Sequence, residues 1–264
     1  MCETCGCINN EGFKIHDPHH PHDHNDNHGH EDIHDQEHDH GHTHSHQKVI
    51  NLNTDILSAN NITAAMNRRF FEGRKVLCLN MVSSPGSGKT MILEKTITDL
   101  IASGKIYVIE GDQQTTMDAE RIEKAGAPAI QINTGTGCHL DAKMVESAIK
   151  KLDIGTKSIL FIENVGNLVC PAMFDLGEYK RVLVISVTEG EDKPLKYPYM
   201  FQTSHLCIIN KSDLIPYVDF RTEEVIKNAR SVNPELEFLS VSAKSGEGMN
   251  QWYEWILKAL NSLS

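Results

Sequence analysis

The chain predicts an α/β fold, a mostly parallel sheet with helices on both faces, preceded by a disordered metal-binding tail. Three observations carry that expectation. From about residue 48 onward, short apolar runs alternate with amphipathic stretches, the βαβα order that yields parallel strands wrapped by helices. The segment Ser83-Ser84-Pro85-Gly86-Ser87-Gly88-Lys89-Thr90 joins one such run to a helix, where a phosphate-binding P-loop belongs. Finally, 13 of the 15 histidines fall in the first 46 residues, a stretch of His, Asp, Asn, Gly and Glu with almost nothing to bury.

The elements follow in order. Residues 55–71 read as a helix, with Ile56, Leu57, Ile62, Ala65, Met66 and Phe70 near a 3.6-residue period, and that apolar side is expected to pack on the following domain. Residues 76–82 are an apolar run, as a strand buried on both faces requires. A helix over 88–102, a strand over 106–109, a helix over 116–125 and a short strand over 129–132 come next. Residues 141–151 read as a helix, 158–162 as a strand, and 181–187 and 206–209 as two more apolar runs. A helix over 222–232, a strand over 237–241 and an amphipathic helix over 249–260, with Trp252, Trp255 and Ile256, close the chain.

Outside the tail about 215 of the 264 residues remain, enough for one domain with a substantial core. A net charge of -11 argues against a nucleic-acid partner, because phosphate binding needs a basic surface. No apolar run approaches the ~20 residues of a membrane span, and Met1-Cys2-Glu3 does not open a signal peptide. A cytoplasmic, reducing location is therefore expected, where clustered cysteines serve as ligands rather than disulfides.

The P-loop departs from its pattern only at Ser83, where the pattern has Gly. Backbone N–H groups of Gly86, Ser87 and Gly88 and of the helix start should receive phosphate oxygens, with Pro85 fixing the turn of the loop. Lys89 should bridge the β- and γ-phosphates, and the Thr90 hydroxyl should bind Mg²⁺. Asn210-Lys211-Ser212-Asp213 follows the run 206–209. There the Asp213 carboxylate can accept two N–H bonds from a guanine edge, which adenine does not offer. Lys211 should lie along the base, Asn210 should tie this loop to the P-loop, and in Ser242-Ala243-Lys244 the Ala243 N–H should reach guanine O6. The expected ligand is GTP with Mg²⁺. Asp112 is the first choice for holding Mg²⁺ or the attacking water, with Glu163, through a water, and Asp118 second; of the three, Asp118 is the one that also reads as a helix cap. Gly166 should let the backbone approach the γ-phosphate.

Three sets of soft donors suggest transition-metal chemistry. Cys2, Cys5 and Cys7, with the terminal amine nearby, supply four donors for square-planar Ni²⁺ or tetrahedral Zn²⁺. The His tract 16–46 should hold several Ni²⁺ or Zn²⁺ ions weakly. Cys138-His139 follows a Gly135-Thr136-Gly137 turn, and Cys170 lies just beyond Glu163-Asn164-Val165-Gly166. These three donors are too few to close a site, and either a dimer interface supplies the remainder or Cys138 and Cys170 are simply buried. Cys78 and Cys207 lie inside apolar strands and read as core.

Taken together, the terminal Cys-Glu-Thr-Cys-Gly-Cys, the His tract, the P-loop, Glu110-Gly111-Asp112-Gln113-Gln114-Thr115, Gly137-Cys138-His139-Leu140-Asp141, Glu163-Asn164-Val165-Gly166-Asn167-Leu168-Val169-Cys170-Pro171 and Asn210-Lys211-Ser212-Asp213-Leu214 resemble the HypB family, the nickel-incorporation GTPases of nickel–iron hydrogenase maturation. The likeness spans the whole chain. It implies a homodimeric P-loop GTPase of the SIMIBI class, with nucleotide sites facing a partner subunit and a metal site at Cys138, His139 and Cys170 near the dimer interface. It further implies nickel delivery to a hydrogenase large-subunit precursor, alongside a HypA-type zinc/nickel accessory protein. Hydrolysis should be slow, since no arginine finger is evident. The chain then divides into a thiol motif (1–7), a His-rich tract (8–47) and a GTPase domain (48–264). Two other readings stand beside it: a nickel-storage protein with an incidental GTPase, and a urease nickel-insertion GTPase of the UreG type.

Overall fold

Seven parallel strands and one antiparallel edge strand build the sheet in the computed structural model, which describes residues 14–16, 45–112 and 117–263. In chain order the strands are β1 (Lys14–His16), β2 (Leu77–Ser83), β3 (Ile106–Asp112), β4 (Ala129–Asn133), β5 (Ile159–Gly166), β6 (Lys180–Ser186), β7 (Leu206–Asn210) and β8 (Glu237–Ser240). They lie side by side as β1-β4-β3-β5-β2-β6-β7-β8. The helices are α1 (Ser45–Arg74), α2 (Lys89–Leu100), α3 (Met117–Ala125), α4 (Ala142–Ile149), α5 (Cys170–Met173), α6 (Lys193–Lys196), α7 (Pro198–Gln202), α8 (Thr222–Val232) and α9 (Met249–Asn261). Every parallel pair is joined by a crossover, so helices cover both faces.

Alternation along the strands sorts their side chains between two cores. Leu77, Leu79 and Met81 of β2, with Val108, Phe161, Val182 and Ile208, pack against α2, α3 and α9. Trp252 of α9 is fully buried there, and its Nε1–H donates to Thr96 Oγ1 at 2.9 Å. On the other face Cys78, Ile109, Ile132, Leu160 and Ile162 meet α1 and α4. Val82, Leu183, Ile185, Cys207 and Ile209 meet α7 and α8. Cys78 and Cys207 are fully buried, as core residues should be, and burial pushes both thiols up, away from ionisation.

The face of α1 differs from the pattern in the sequence. Ile56, Ile62 and Met66 are exposed, Ala65 is exposed too, and Leu57 and Phe70 are half-buried. Asn60, Ala64, Asn67 and Phe71 are the buried stripe instead. Polar docking selects that stripe. Asn67 Nδ2 donates to Ala142 O at 2.9 Å and Leu176 O at 3.1 Å, Asn60 Oδ1 accepts from Ala142 N at 2.9 Å, and Arg68 pairs with Asp175 at 2.7 Å. Backbone groups satisfied in this way favour one rotation of the helix over another that buries more apolar area.

Two further departures concern the start of the chain. α1 begins at Ser45, ten residues before the predicted helix, and β1 pairs with β4 within the tract expected to lack structure. That pairing uses backbone groups, which no side-chain pattern announces. The side chains of Cys2, Cys5 and Cys7 and of the His tract 16–46 lie outside the described residues.

Candidate nucleotide and metal site

The site forms at the C-terminal edge of the sheet, where open α/β sheets place ligands. Strand β2 delivers the loop 83–88, and α2 starts at Lys89. Gly86 (φ 72°) and Gly88 (φ 92°) take left-handed conformations that curl the loop. Gly88 is the N-cap of α2 and offers no side-chain cap, so the first N–H groups of the helix remain available to an anion. A Cβ on Gly88 would strike Asn210 Nδ2, so this position needs glycine twice over. Lys89 is buried, donates to Ser83 Oγ at 2.8 Å and stands 4.0 Å from Glu163 Oε1. Ser84 Oγ donates to Glu189 Oε2, and Glu189 in turn accepts from Ser186 N and pairs with Lys193 at 3.2 Å. The β6–α6 connection therefore braces the P-loop, a role the sequence did not suggest.

The loops expected at the base lie beside this one. Asn210, at the end of β7, donates through Nδ2 to Ser87 O at 2.8 Å and accepts through Oδ1 from Ala243 N at 3.2 Å. It thus fastens two loops to the P-loop at once. Lys211 (φ 63°) donates to Gly86 O at 2.8 Å. Asp213 Oδ1 accepts from Ser242 Oγ at 2.6 Å, and Ser242 Oγ accepts from Ser245 N at 3.1 Å. The Ala243 N–H expected to face guanine O6 is engaged with Asn210, while Lys244 is exposed.

Carboxylates gather on the other side of the P-loop. Glu163 of β5 accepts from Thr90 Oγ1 at 2.7 Å. Its register partner on β3 is Glu110. Both are buried, and the Oε2 of each lacks a hydrogen-bond partner. Two like charges in such a place cannot both be ionised cheaply. Burial first, then the carboxylates of Glu163, Asp118 and Asp112, push Glu110 up to about 9. Burial also raises Glu163, against the pull of the Lys89 ammonium and the Thr90 hydroxyl. Asp112 is half-buried at the end of β3, and Asp118, on the first turn of α3, pairs with Arg121 at 3.1 Å. Glu110 shares with Asp112 an acidic segment from which the sequence favoured Asp112; its own signal is a carboxylate continuing an apolar strand, which burial makes costly without a purpose.

Orphan atoms test what these residues fit. Ser87 Oγ, Glu110 Oε2 and Glu163 Oε2 are buried and unpartnered. The hydroxyl of Thr90, the carboxylates and the adjoining phosphate cradle form an oxygen-rich donor set, which suits Mg²⁺ beside a nucleotide triphosphate. Gly166 closes this side: a Cβ there would lie 3.2 Å from Pro85 Cα, so strand β5 abuts the P-loop backbone.

Beyond β5 and β4 the soft donors converge. Cys138, His139 and Cys170 each present one ligand atom, and these atoms lie within 4.8 Å of one another. A tetrahedral site with metal–sulfur bonds near 2.3 Å sets its ligand atoms about 3.7 Å apart, so modest closure completes three corners. The loop after β4 is shaped by Gly135 (φ 58°) and by Gly137 N donating to Thr134 O at 2.8 Å. His139 stacks on Phe174, ring centroids 3.9 Å apart, and burial lowers its pKa, favouring the neutral, ligand-ready imidazole. Cys170 is buried at the start of α5. Strand β3 runs between β4 and β5, and Gly111 gives the loop room to cross it: a Cβ there would sit 2.7 Å from Leu140 Cγ.

Residues 77–240 match the family described as CobW/HypB/UreG, nucleotide-binding domain. The hydrogenase maturation factor HypB of Rhizobium leguminosarum bv. viciae is 60% identical over 210 residues, covering 80% of this chain and 70% of the relative. HypB of Escherichia coli (strain K12) is 56% identical over 210 residues, covering 80% and 72%. The crystal structure of HypB from Helicobacter pylori in complex with nickel superposes with a TM-score of 0.73 at 38% identity, covering 77% of this chain and 96% of that one.

Proposed function

This chain belongs to the HypB family of hydrogenase maturation factors, and from that premise we propose that it is a GTP hydrolase whose nucleotide state governs delivery of nickel to a hydrogenase large-subunit precursor. The observation that carries the proposal is continuity: β5 bears Glu163 and Gly166 against the P-loop, and four residues later the same segment bears Cys170 beside Cys138 and His139. A nucleotide that rearranges the end of β5 therefore rearranges a metal donor.

In this reading the P-loop N–H groups and Lys89 hold the β- and γ-phosphates, and Asp213, Lys211 and the loop 242–244 select guanine over adenine. Thr90 and Asp112 would hold Mg²⁺, whose contribution when bound is to neutralise charge developing on the phosphates. Glu163 orients the attacking water, and Glu110, kept protonated, lets Glu163 carry the pair's negative charge. The donors Cys138, His139 and Cys170 take nickel, or zinc in its absence, as cargo. A second copy of the chain supplies the remaining ligand across a homodimer interface. The thiols of Cys2, Cys5 and Cys7 and the His tract 16–46 store metal for this exchange. A HypA-type zinc/nickel accessory protein receives it on the way to the precursor, in the cytoplasm. Linkage demands the converse: nickel at the triad must alter nucleotide affinity or dimerisation by the same factor.

The test is transfer itself. Nickel-loaded protein is mixed with the precursor and accessory protein, with GTP, for the wild type and for Lys89→Ala. Transfer that collapses in the variant supports the coupling. Transfer at the wild-type rate would reduce the chain to a passive nickel store.

A further inference from the structure

Between Glu163 and the metal donors lies a buried set of polar side chains that neither nucleotide binding nor metal ligation uses. Asn164 follows Glu163 and is 1% exposed. Its Oδ1 accepts from Leu140 N at 3.1 Å, and Leu140 follows His139 directly. Leu140 itself is fully buried and rests on the backbone of Gly111, next to Asp112. A single residue beside the metal loop is thus gripped by both strands that carry the nucleotide-side carboxylates.

A second branch leaves from the other end of the same amide. Asn164 Nδ2 donates to Asn80 Oδ1 at 3.3 Å, and Asn80 Nδ2 donates to Glu178 Oε1 at 3.0 Å. Glu178 pairs with Arg181 at 2.9 Å, both side chains 7% exposed. The Arg181 guanidinium then donates to Ala172 O and Phe174 O, each at 3.0 Å. Ala172 belongs to α5, which Cys170 begins, and Phe174 is the ring on which His139 stacks. The branches end on the two halves of the metal triad.

Such a network is expensive to bury and directional in what it holds. A buried amide with both ends bonded has one orientation, and turning it breaks partners in both branches. We propose that Asn164 is the positioning residue that couples the γ-phosphate side of the pocket to the Cys138–His139–Cys170 triad. A shift of β5 at Glu163 draws the Leu140 amide, and with it His139, while the Asn80–Glu178–Arg181 branch holds or releases the turn after Cys170. This inference rests on the nucleotide–nickel coupling proposed above and names the side chain that transmits it.

The experiment uses the full chain. Affinities for GDP and for a non-hydrolysable GTP analogue are measured with and without saturating nickel, in the wild type, in Cys170→Ser and in Asn164→Ala. Cys170→Ser removes the triad and leaves the amino-terminal donors in place, so it sets the baseline of any nickel effect arising elsewhere. Wild-type protein is expected to show a nickel-induced shift in the GTP-analogue to GDP preference of at least about fivefold above that baseline. Asn164→Ala is expected to fall to the baseline. Because that variant also loses three buried hydrogen bonds, two accepted from Leu140 N and Val165 N and one donated to Asn80 Oδ1, hydrogen exchange at the Leu140 amide of the wild type provides a second reading: its protection should differ between the GDP and analogue states. No nickel effect in the wild type would overturn the coupling itself. A wild-type effect that survives in Asn164→Ala, or a Leu140 amide indifferent to nucleotide, would leave the coupling standing and overturn the relay.

Discussion

Glu110→Gln should make the nucleotide-free, metal-free protein more stable at neutral pH. In the fold, Glu110 holds its proton up to about 9, because it is buried beside the carboxylates of Glu163, Asp118 and Asp112; the ordinary value is 4.5. Between those values the folded state binds one proton more than the unfolded chain. Stability therefore falls as pH rises, by about 1.4 kcal/mol per pH unit. From 4.5 to pH 7 is 2.5 units, so wild-type protein at pH 7 has lost about 3 kcal/mol relative to acid. Glutamine matches the protonated side chain in shape and in offering a donor, yet has no proton to lose. Thermal unfolding of both proteins from pH 5 to pH 8 measures this. At about 2–4 °C per kcal/mol for a domain of this size, Glu110→Gln should melt about 6–12 °C higher at pH 7 and nearly together with the wild type at pH 5. Melting curves that stay parallel across this range would show that Glu110 is ionised in the fold, and the division of labour with Glu163 would go with it.

Further expectations follow from the same geometry. Gly88→Ala forces a left-handed backbone onto alanine and drives a Cβ into Asn210 Nδ2; strain and the lost Asn210–Ser87 bond total about 2–3 kcal/mol, so equilibrium binding of guanine nucleotide should weaken by at least about tenfold. Asp213→Asn replaces the acceptor that Ser242 helps orient. A charged hydrogen bond is worth about 1.5–3 kcal/mol, so GTP affinity should drop by about 10- to 100-fold with ATP affinity little changed, as read by competition binding. Cys170→Ser should remove one nickel equivalent from the chain while guanine nucleotide affinity without metal stays within about twofold; metal analysis after dialysis reads the first and titration the second.

How far the fold was legible depends on what each element buries. Strands such as β2 and β7 are largely apolar on both faces, Asn80 of β2 apart, and announce themselves, because a parallel sheet between two helical layers leaves them no solvent-facing side. Helix α8 was legible to the residue, its apolar and charged positions being cleanly separated. The helices α5, α6 and α7 have four or five residues each, too few for a period to show. Helix α1 misled because Asn60 and Asn67, not its isoleucines, make the buried contacts. At the site, the P-loop glycines and Asn210 sit where their spacing in the sequence suggested, since local backbone geometry imposes that spacing. Cys170 lies far from Cys138 in the chain, and only the β4-β3-β5 strand order brings them together. Glu110 and Asn164 were illegible for a related reason: what they do depends on a cross-strand register and on a backbone amide of another loop.

The central measurement is the nickel affinity of the chain with GDP bound and with a non-hydrolysable GTP analogue bound, by competition against a chelator of known strength. It should be run on the full chain and on one that begins at residue 45. A difference of about fivefold or more between nucleotide states, present in both forms and absent from Cys170→Ser, is the predicted result. Equal affinities in the two states, with and without the amino-terminal segment, would contradict it.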